Sequence, residues 1–213
     1  MPTEYQATTT VRRLSTEDKV RATMSAYGTP IGMTFFEWMC LIGRGYLVQL
    51  GTENAPIDST TAIDDALAWG LIDVPDGVVI ALMEVGVNVQ DIGAATLLEY
   101  MVEVDNAKVR YSSGGTAFTP LNLHTGKSNA SGCSAYVGTD ITLAAKTTGG
   151  SLEIARHAVG NDALATQVAS ENTNWNFRPS GMVVVEGPGA VVLHVGAATG
   201  DSKAYGNMKF VVL

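Results

Sequence analysis

Apolar positions along the second two-thirds of the chain come in short runs whose spacing passes from continuous to alternating. Val78-Val79-Ile80-Ala81-Leu82-Met83 is unbroken and Val85 to Gln90 alternates, which predicts a strand over 78–90, buried at one end and half exposed at the other. Leu97 to Val104 alternates with Glu99 and Glu103 on one face, and the connector 91–95 has hairpin length. In the last third, Met182 to Val185 and Ala190 to Val195 flank Gly187-Pro188-Gly189. β-Branched runs favour extended backbone; glycine's access to positive φ and proline's fixed φ predict a sharp turn between them, a hairpin or a strand-to-strand corner. Met208 to Leu213 predicts a final strand held in a sheet. With Tyr46–Leu50, Cys133–Ala145 and Leu152–Ala158 the count reaches about eight strands, separated midway by a turn-rich stretch over 105–132.

Ahead of residue 77 the pattern is mixed. Ser15 to Arg21 places acids behind a capping hydroxyl and predicts a short helix to Met24. Asp58 to Trp69, with Ile63 and Leu67 four apart, predicts about three helical turns ended by Gly70. Pro30 to Leu50 is the most apolar stretch, but Glu37, Arg44 and its glycines interrupt it, so it lacks the run of about 20 apolar residues that a membrane span needs. It reads either as a core strand preceded by an arm packed on the sandwich, or as an arm that docks on a neighbouring subunit or a membrane surface. Phe35, Phe36, Trp38 and Met39 favour some outward contact, because successive residues of an extended arm point to opposite sides and cannot all enter one core. The fold expected is all-β: an eight-stranded jelly-roll β-sandwich with an N-terminal arm over 1–43, a sandwich domain over 44–213 and a helical insertion near 58–70, giving one or two short helices. No internal repeat of fixed period is present.

Composition narrows the function classes. At 46% hydrophobic and 16% charged residues the chain is too apolar for a disordered protein. A net charge of −8 from 13 Lys+Arg against 21 Asp+Glu, with no basic cluster free of acids, disfavours direct nucleic-acid binding. The two cysteines, Cys40 and Cys133, have no metal-ligand spacing and read as small hydrophobes. Met1 to Gln6 opens without the basic and apolar regions of a secretory signal.

The sequence offers no catalytic residues, no metal site and no cofactor site. Thr125-Gly126-Lys127-Ser128 resembles a phosphate loop, but a P-loop needs glycine where Leu121 stands, and Asn129-Ala130-Ser131-Gly132 is a poor helix opening. His124, His157 and His194 are scattered, Ser151 and Ser180 have no evident base, and Asp64 and Asp65 read as a solvated helix face. Trp175, among asparagines in 172–179, reads either as a cap on one end of the sandwich or as an exposed aromatic that stacks on sugars or anchors an interface.

Pro75 to Ile80 opening a long strand, Thr119 to Leu123 in the mid-chain loop and Pro179 to Val195 as a strand pair together resemble viral coat proteins of the single jelly-roll kind, over about residues 40–213. Receptor-ligand trimers of the tumour-necrosis-factor type and some lectins share the same ending. The resemblance implies a structural, non-enzymatic subunit that self-assembles into the shell of a virus or bacteriophage, in the virion after assembly in host cytoplasm. Its partners would be further copies of itself, other virion proteins or an internal membrane. The chain departs from RNA-virus coat proteins with strongly basic arms, since its first two dozen residues are close to neutral. The alternative is a receptor- or carbohydrate-binding module such as a spike or fibre head.

Overall fold

Runs rich in valine, isoleucine and aromatic residues, punctuated by glycine, are best satisfied as strands that bury one or both faces. The computed structural model describes residues 34–93, 95, 97–160, 172–177, 182–198 and 202–213; the helix expected over 15–24 and the arm up to residue 33 lie outside them. One helix, α1 (Phe35–Leu41), precedes β1 (Gly45–Leu50), β2 (Ile57–Asp58), β3 (Leu67–Val74), β4 (Val79–Asp91) and β5 (Leu97–Asp105). There follow β6 (Tyr111–Ser113), β7 (Thr116–Phe118), β8 (Leu121–Asn122), β9 (Ser134–Leu143), β10 (Ser151–Gly160), β11 (Asn172–Asn176), β12 (Val183–Glu186), β13 (Gly189–Ala197) and β14 (Lys203–Val212).

The strands form an all-β sandwich of two seven-stranded sheets. The first has the order β11-β4-β14-β1-β8, with β12 also on β4 and β2 on β14; the second has β10-β5-β13-β3-β9-β6, with β7 also on β9. Between them lies one continuous core that includes Tyr46, Trp69, Leu82, Val87, Tyr100, Val102, Leu193, Met208 and Phe210. The second sheet is covered on its outer side as well, where Ala68, Leu71, Ile141, Leu143, Ala190 and Val192 form a separate cluster under Tyr111 and Tyr136.

Three local expectations are corrected. The helical insertion near 58–70 does not form: Leu67–Val74 is a strand buried almost throughout, between β13 and β9. Its contiguous apolar residues serve two buried faces, a pattern that mimics a buried helix turn. A register shift between Ala68 and Gly70 accompanies the placing of Trp69 in the core, and a Cβ on Gly70 would stand 2.5 Å from Leu50 Cδ2, so this glycine accommodates packing and ends no helix. The connector 91–95 is not a hairpin, because β4 belongs to the first sheet and β5 to the second. Asn172–Asn176 is an edge strand paired with β4, where a polar loop was expected.

The Gly187-Pro188-Gly189 turn is the corner alternative, carrying the chain from β12 in the first sheet to β13 in the second. Neither glycine takes a positive φ. What requires them is space: a Cβ on Gly187 would run into the Pro75 carbonyl oxygen, and one on Gly189 would stand 2.7 Å from Val185 Cγ1.

Candidate functional site

The apolar stretch around residue 35 folds as a helix, not as an extended arm. Thr34 is its N-cap, with Oγ1 accepting from the Glu37 amide at 3.3 Å while Glu37 Oε2 accepts from the Thr34 amide at 2.7 Å, a reciprocal capping box. At the other end the Gly43 carbonyl accepts from Asn122 Nδ2 at 2.8 Å, tying the helix exit to β8. A helical turn of about 100° per residue then sorts the four aromatic and methionine positions. Phe36 and Met39, 6% and 5% exposed, pack with Cys40 and Ile42 on Ala81, Met83 and Val211 of the first sheet. Each such burial contributes about 1.5–3 kcal/mol.

Phe35 and Trp38 turn the other way, 49% and 53% exposed, and Leu41 joins them at 50%. Leu41 was not singled out in the sequence, because an extended segment has no three-residue period; read as a helix, 35, 38 and 41 fall on one stripe. Val184, paired with Ala81 beneath the helix, and Leu121, paired with Leu47, add exposed apolar surface to the same face of the sheet. The result is an apolar ridge on a helix fixed at both ends.

Trp175 is corrected as an exposed contact. Alternation along β11 turns it inward, half-buried against the core and edge-to-face with Tyr100 at a centroid distance of 6.4 Å. The flanking Asn172, Asn174 and Asn176 face out.

The densest polar constellation lies on the outer side of the second sheet and was not foreseen as a unit. Arg110, fully buried, donates from Nη1 to Glu103 Oε1 at 2.8 Å, from Nε to the Ala144 carbonyl at 2.8 Å and from Nη2 to the Asp65 carbonyl at 2.9 Å. Asp73 accepts the backbone N–H groups of Arg110 and Tyr111, and Asp105 those of Ala107 and Thr147. Ser151 Oγ donates to Glu103. His194 Nδ1 lies 2.9 Å from the Leu67 carbonyl, and Nε2 faces Glu103 Oε2 at 3.7 Å, an ion-pair distance too long for a hydrogen bond. The facing His194 ring lowers the Glu103 carboxyl most; burial opposes this, and Ser151 and Arg110 add to the lowering, leaving it at about 2.

This cluster joins β5, β10, β13 and the loops at 65, 110 and 144, and its geometry is that of a clasp. Ser151 donates its hydroxyl proton to Glu103, a carboxylate that Arg110 holds as well. Beside it an open recess of about 480 Å³ is lined by Asp65, Glu103, Lys146, Ser151, Glu153 and Arg156 among others, but Lys146 pairs with Asp65 at 2.7 Å and Arg156 with Glu153 at 2.9 Å. Among the described residues no group of three or more His, Cys, Asp or Glu side chains is placed to hold a metal ion. Thr125 to Ser128 lies in the loop after β8, where the Lys127 amide donates to the His124 carbonyl at 2.8 Å and no helix follows. Ser180 lies outside the described residues. Among those residues no helix is long and apolar enough to cross a membrane. No protein-family model, curated protein or solved structure matches the chain.

Proposed function

We propose that this chain is a structural subunit that self-assembles into a viral or bacteriophage shell, built on a jelly-roll sandwich. The observation that carries the reading is the winding of the strands. Taking β1, β3, β4, β5, β10, the β11/β12 edge, β13 and β14 as the main strands, the first pairs with the last, the second with the seventh, the third with the sixth and the fourth with the fifth, all antiparallel. This pairing supports reading the chain as a long hairpin rolled into two sheets in the manner of a jelly roll, with β6 to β9 inserted between the fourth and fifth main strands. Fold alone does not carry function. The ridge of Phe35, Trp38 and Leu41 supplies the reason for assembly, since a helix fixed to a rigid sheet presents side chains that water solvates poorly and a neighbouring subunit would bury. Direct binding to nucleic acid has no part in this reading.

Electron microscopy and sedimentation of the purified protein test it. Closed shells or symmetric oligomers are the expected result. A strict monomer across protein and salt concentrations refutes it.

A further inference from the structure

We propose that the half of the first sheet's outer face not covered by α1 binds a neutral carbohydrate. The register lays its outward side chains in rows across adjacent strands: Asn172 beside Asn88 beside Tyr205, and Asn174 beside Gly86 beside Asn207 and Gln49. Their neighbours along each strand, Trp175, Val85, Val87, Met208 and Val48, point into the core, so this polar set shares one face.

Asparagine is depleted in strands because its amide competes for the backbone. Concentrating it on one face of three paired strands works against the fold, and such local conflicts fall where a surface serves something besides folding. Each amide offers donors and an acceptor on one rigid plane, which matches sugar hydroxyls that both donate and accept. Charge beside this face is balanced at both ends, with Lys209 Nζ 2.7 Å from Glu84 Oε1 in one adjoining row and Lys203 in register with Asp58 and Asp91 beyond the other, which favours a neutral ligand over an ionic one. With no side chain at Gly86, Asn207 lays its amide over that position, where a Cβ would stand 3.3 Å from Nδ2 and 3.7 Å from Oδ1. Asn207 Oδ1 is shielded from solvent and has no hydrogen-bond partner, so a turn of the amide away from Gly86 would give it a sugar hydroxyl as partner. Half-buried Tyr205 supplies a ring against which the apolar side of a sugar can pack. The stacking role considered for Trp175 thus passes to Tyr205, and the hydrogen bonding to the asparagines around it.

The test is a titration of ¹⁵N-labelled full-length protein carrying Phe35→Ser/Trp38→Ser, so that assembly through the helical ridge does not broaden the signals, with glucose, galactose, mannose, N-acetylglucosamine and their short oligomers, followed by NMR. At least one sugar is expected to give saturable shifts centred on the side-chain amides of Asn172, Asn174 and Asn207. The double variant Asn172→Ala/Asn174→Ala, at two exposed positions, is expected to melt like the parent and to bind about tenfold more weakly. The proposal is overturned if no sugar in the panel shifts these signals, if the shifts map elsewhere or survive the double substitution, or if only sialylated or sulfated sugars bind. It is equally overturned if the face is covered by a second copy of the chain, seen as concentration-dependent broadening of the same amides. Assembly and sugar binding are read separately, so failure of one leaves the other standing.

Discussion

Replacing Glu103 by Gln removes the charge on which the buried clasp turns. The carboxyl sits at about 2 in the fold against an ordinary 4.5. That difference, at about 1.36 kcal/mol per pH unit, corresponds to at most about 3 kcal/mol of stabilisation, because the largest lowering comes from His194, which faces the carboxylate at 3.7 Å without a hydrogen bond. Glu103 is 3% exposed, so solvent screening takes little from this figure. Because the folded value is depressed, the contribution is complete above about pH 4.5, declines as pH falls and is gone near pH 2. Asp73 works in the opposite sense: burial raises its carboxyl above 3.8, although the Arg110 and Tyr111 amides pull it down, so its protonation favours the fold. That effect is common to both proteins and cancels between them. The assay is chemical denaturation of parent and Glu103→Gln at a series of pH values from 7 to 2. The parent should lead by about 3 kcal/mol at pH 7, because the variant also leaves the Arg110 guanidinium short of a counter-charge, and the lead should shrink below pH 4.5, by at most about 3 kcal/mol. Parallel curves across the whole range, or a gap that widens in acid, would refute the reasoning.

Phe36→Ala should lower stability by about 3 kcal/mol by opening a cavity against Ala81 and Met83, whereas Phe35→Ser/Trp38→Ser should leave the melting temperature nearly unchanged and reduce assembly seen by sedimentation. Gly206→Ala should destabilise strongly in thermal unfolding, since the added methyl would meet the Gly86 carbonyl oxygen, which is backbone and cannot swing away. Burial, and then the charge of Asp73, push the Cys133 thiol up to about 12, so in the folded protein it should resist iodoacetamide at pH 8 and react only after unfolding, as peptide mass mapping would show.

How far the sequence could be read depended on how many faces each strand buries. β4, β5 and β14 sit centrally and carry long apolar or alternating stretches, so their spans were legible to within a residue or so at most ends. β3 was not, because its outer face is roofed by Tyr111, Tyr136 and Leu143, and residues apolar on both sides lose the period of two. β11 was missed for the opposite reason: asparagine at every second position hides a strand in a composition typical of loops. The four residues Phe35, Phe36, Trp38 and Met39 were recognised as unable to share one core, which holds, but the capping box at Thr34 and Glu37 was overlooked, and with it the three-residue period that selects Leu41. The clasp was beyond reach of pattern alone. Glu103 reads as one charge of an alternating strand, and only tertiary structure brings Arg110, Ser151 and His194 to it.

The position of β14 has a consequence for synthesis. It lies between β1 and β4, with ten residues paired along β4 and six along β1, although more than a hundred residues separate it from either in the chain. Until residue 212 has left the ribosome, the central slot of the first sheet is empty, and β1 and β4 each show an unsatisfied edge and half a core. A nascent chain therefore has no native-like stopping point, because neither sheet is a contiguous piece of sequence. Folding should wait for β14 to be synthesised, be slowed by these long-range pairings and depend on protection of those edges in the interval.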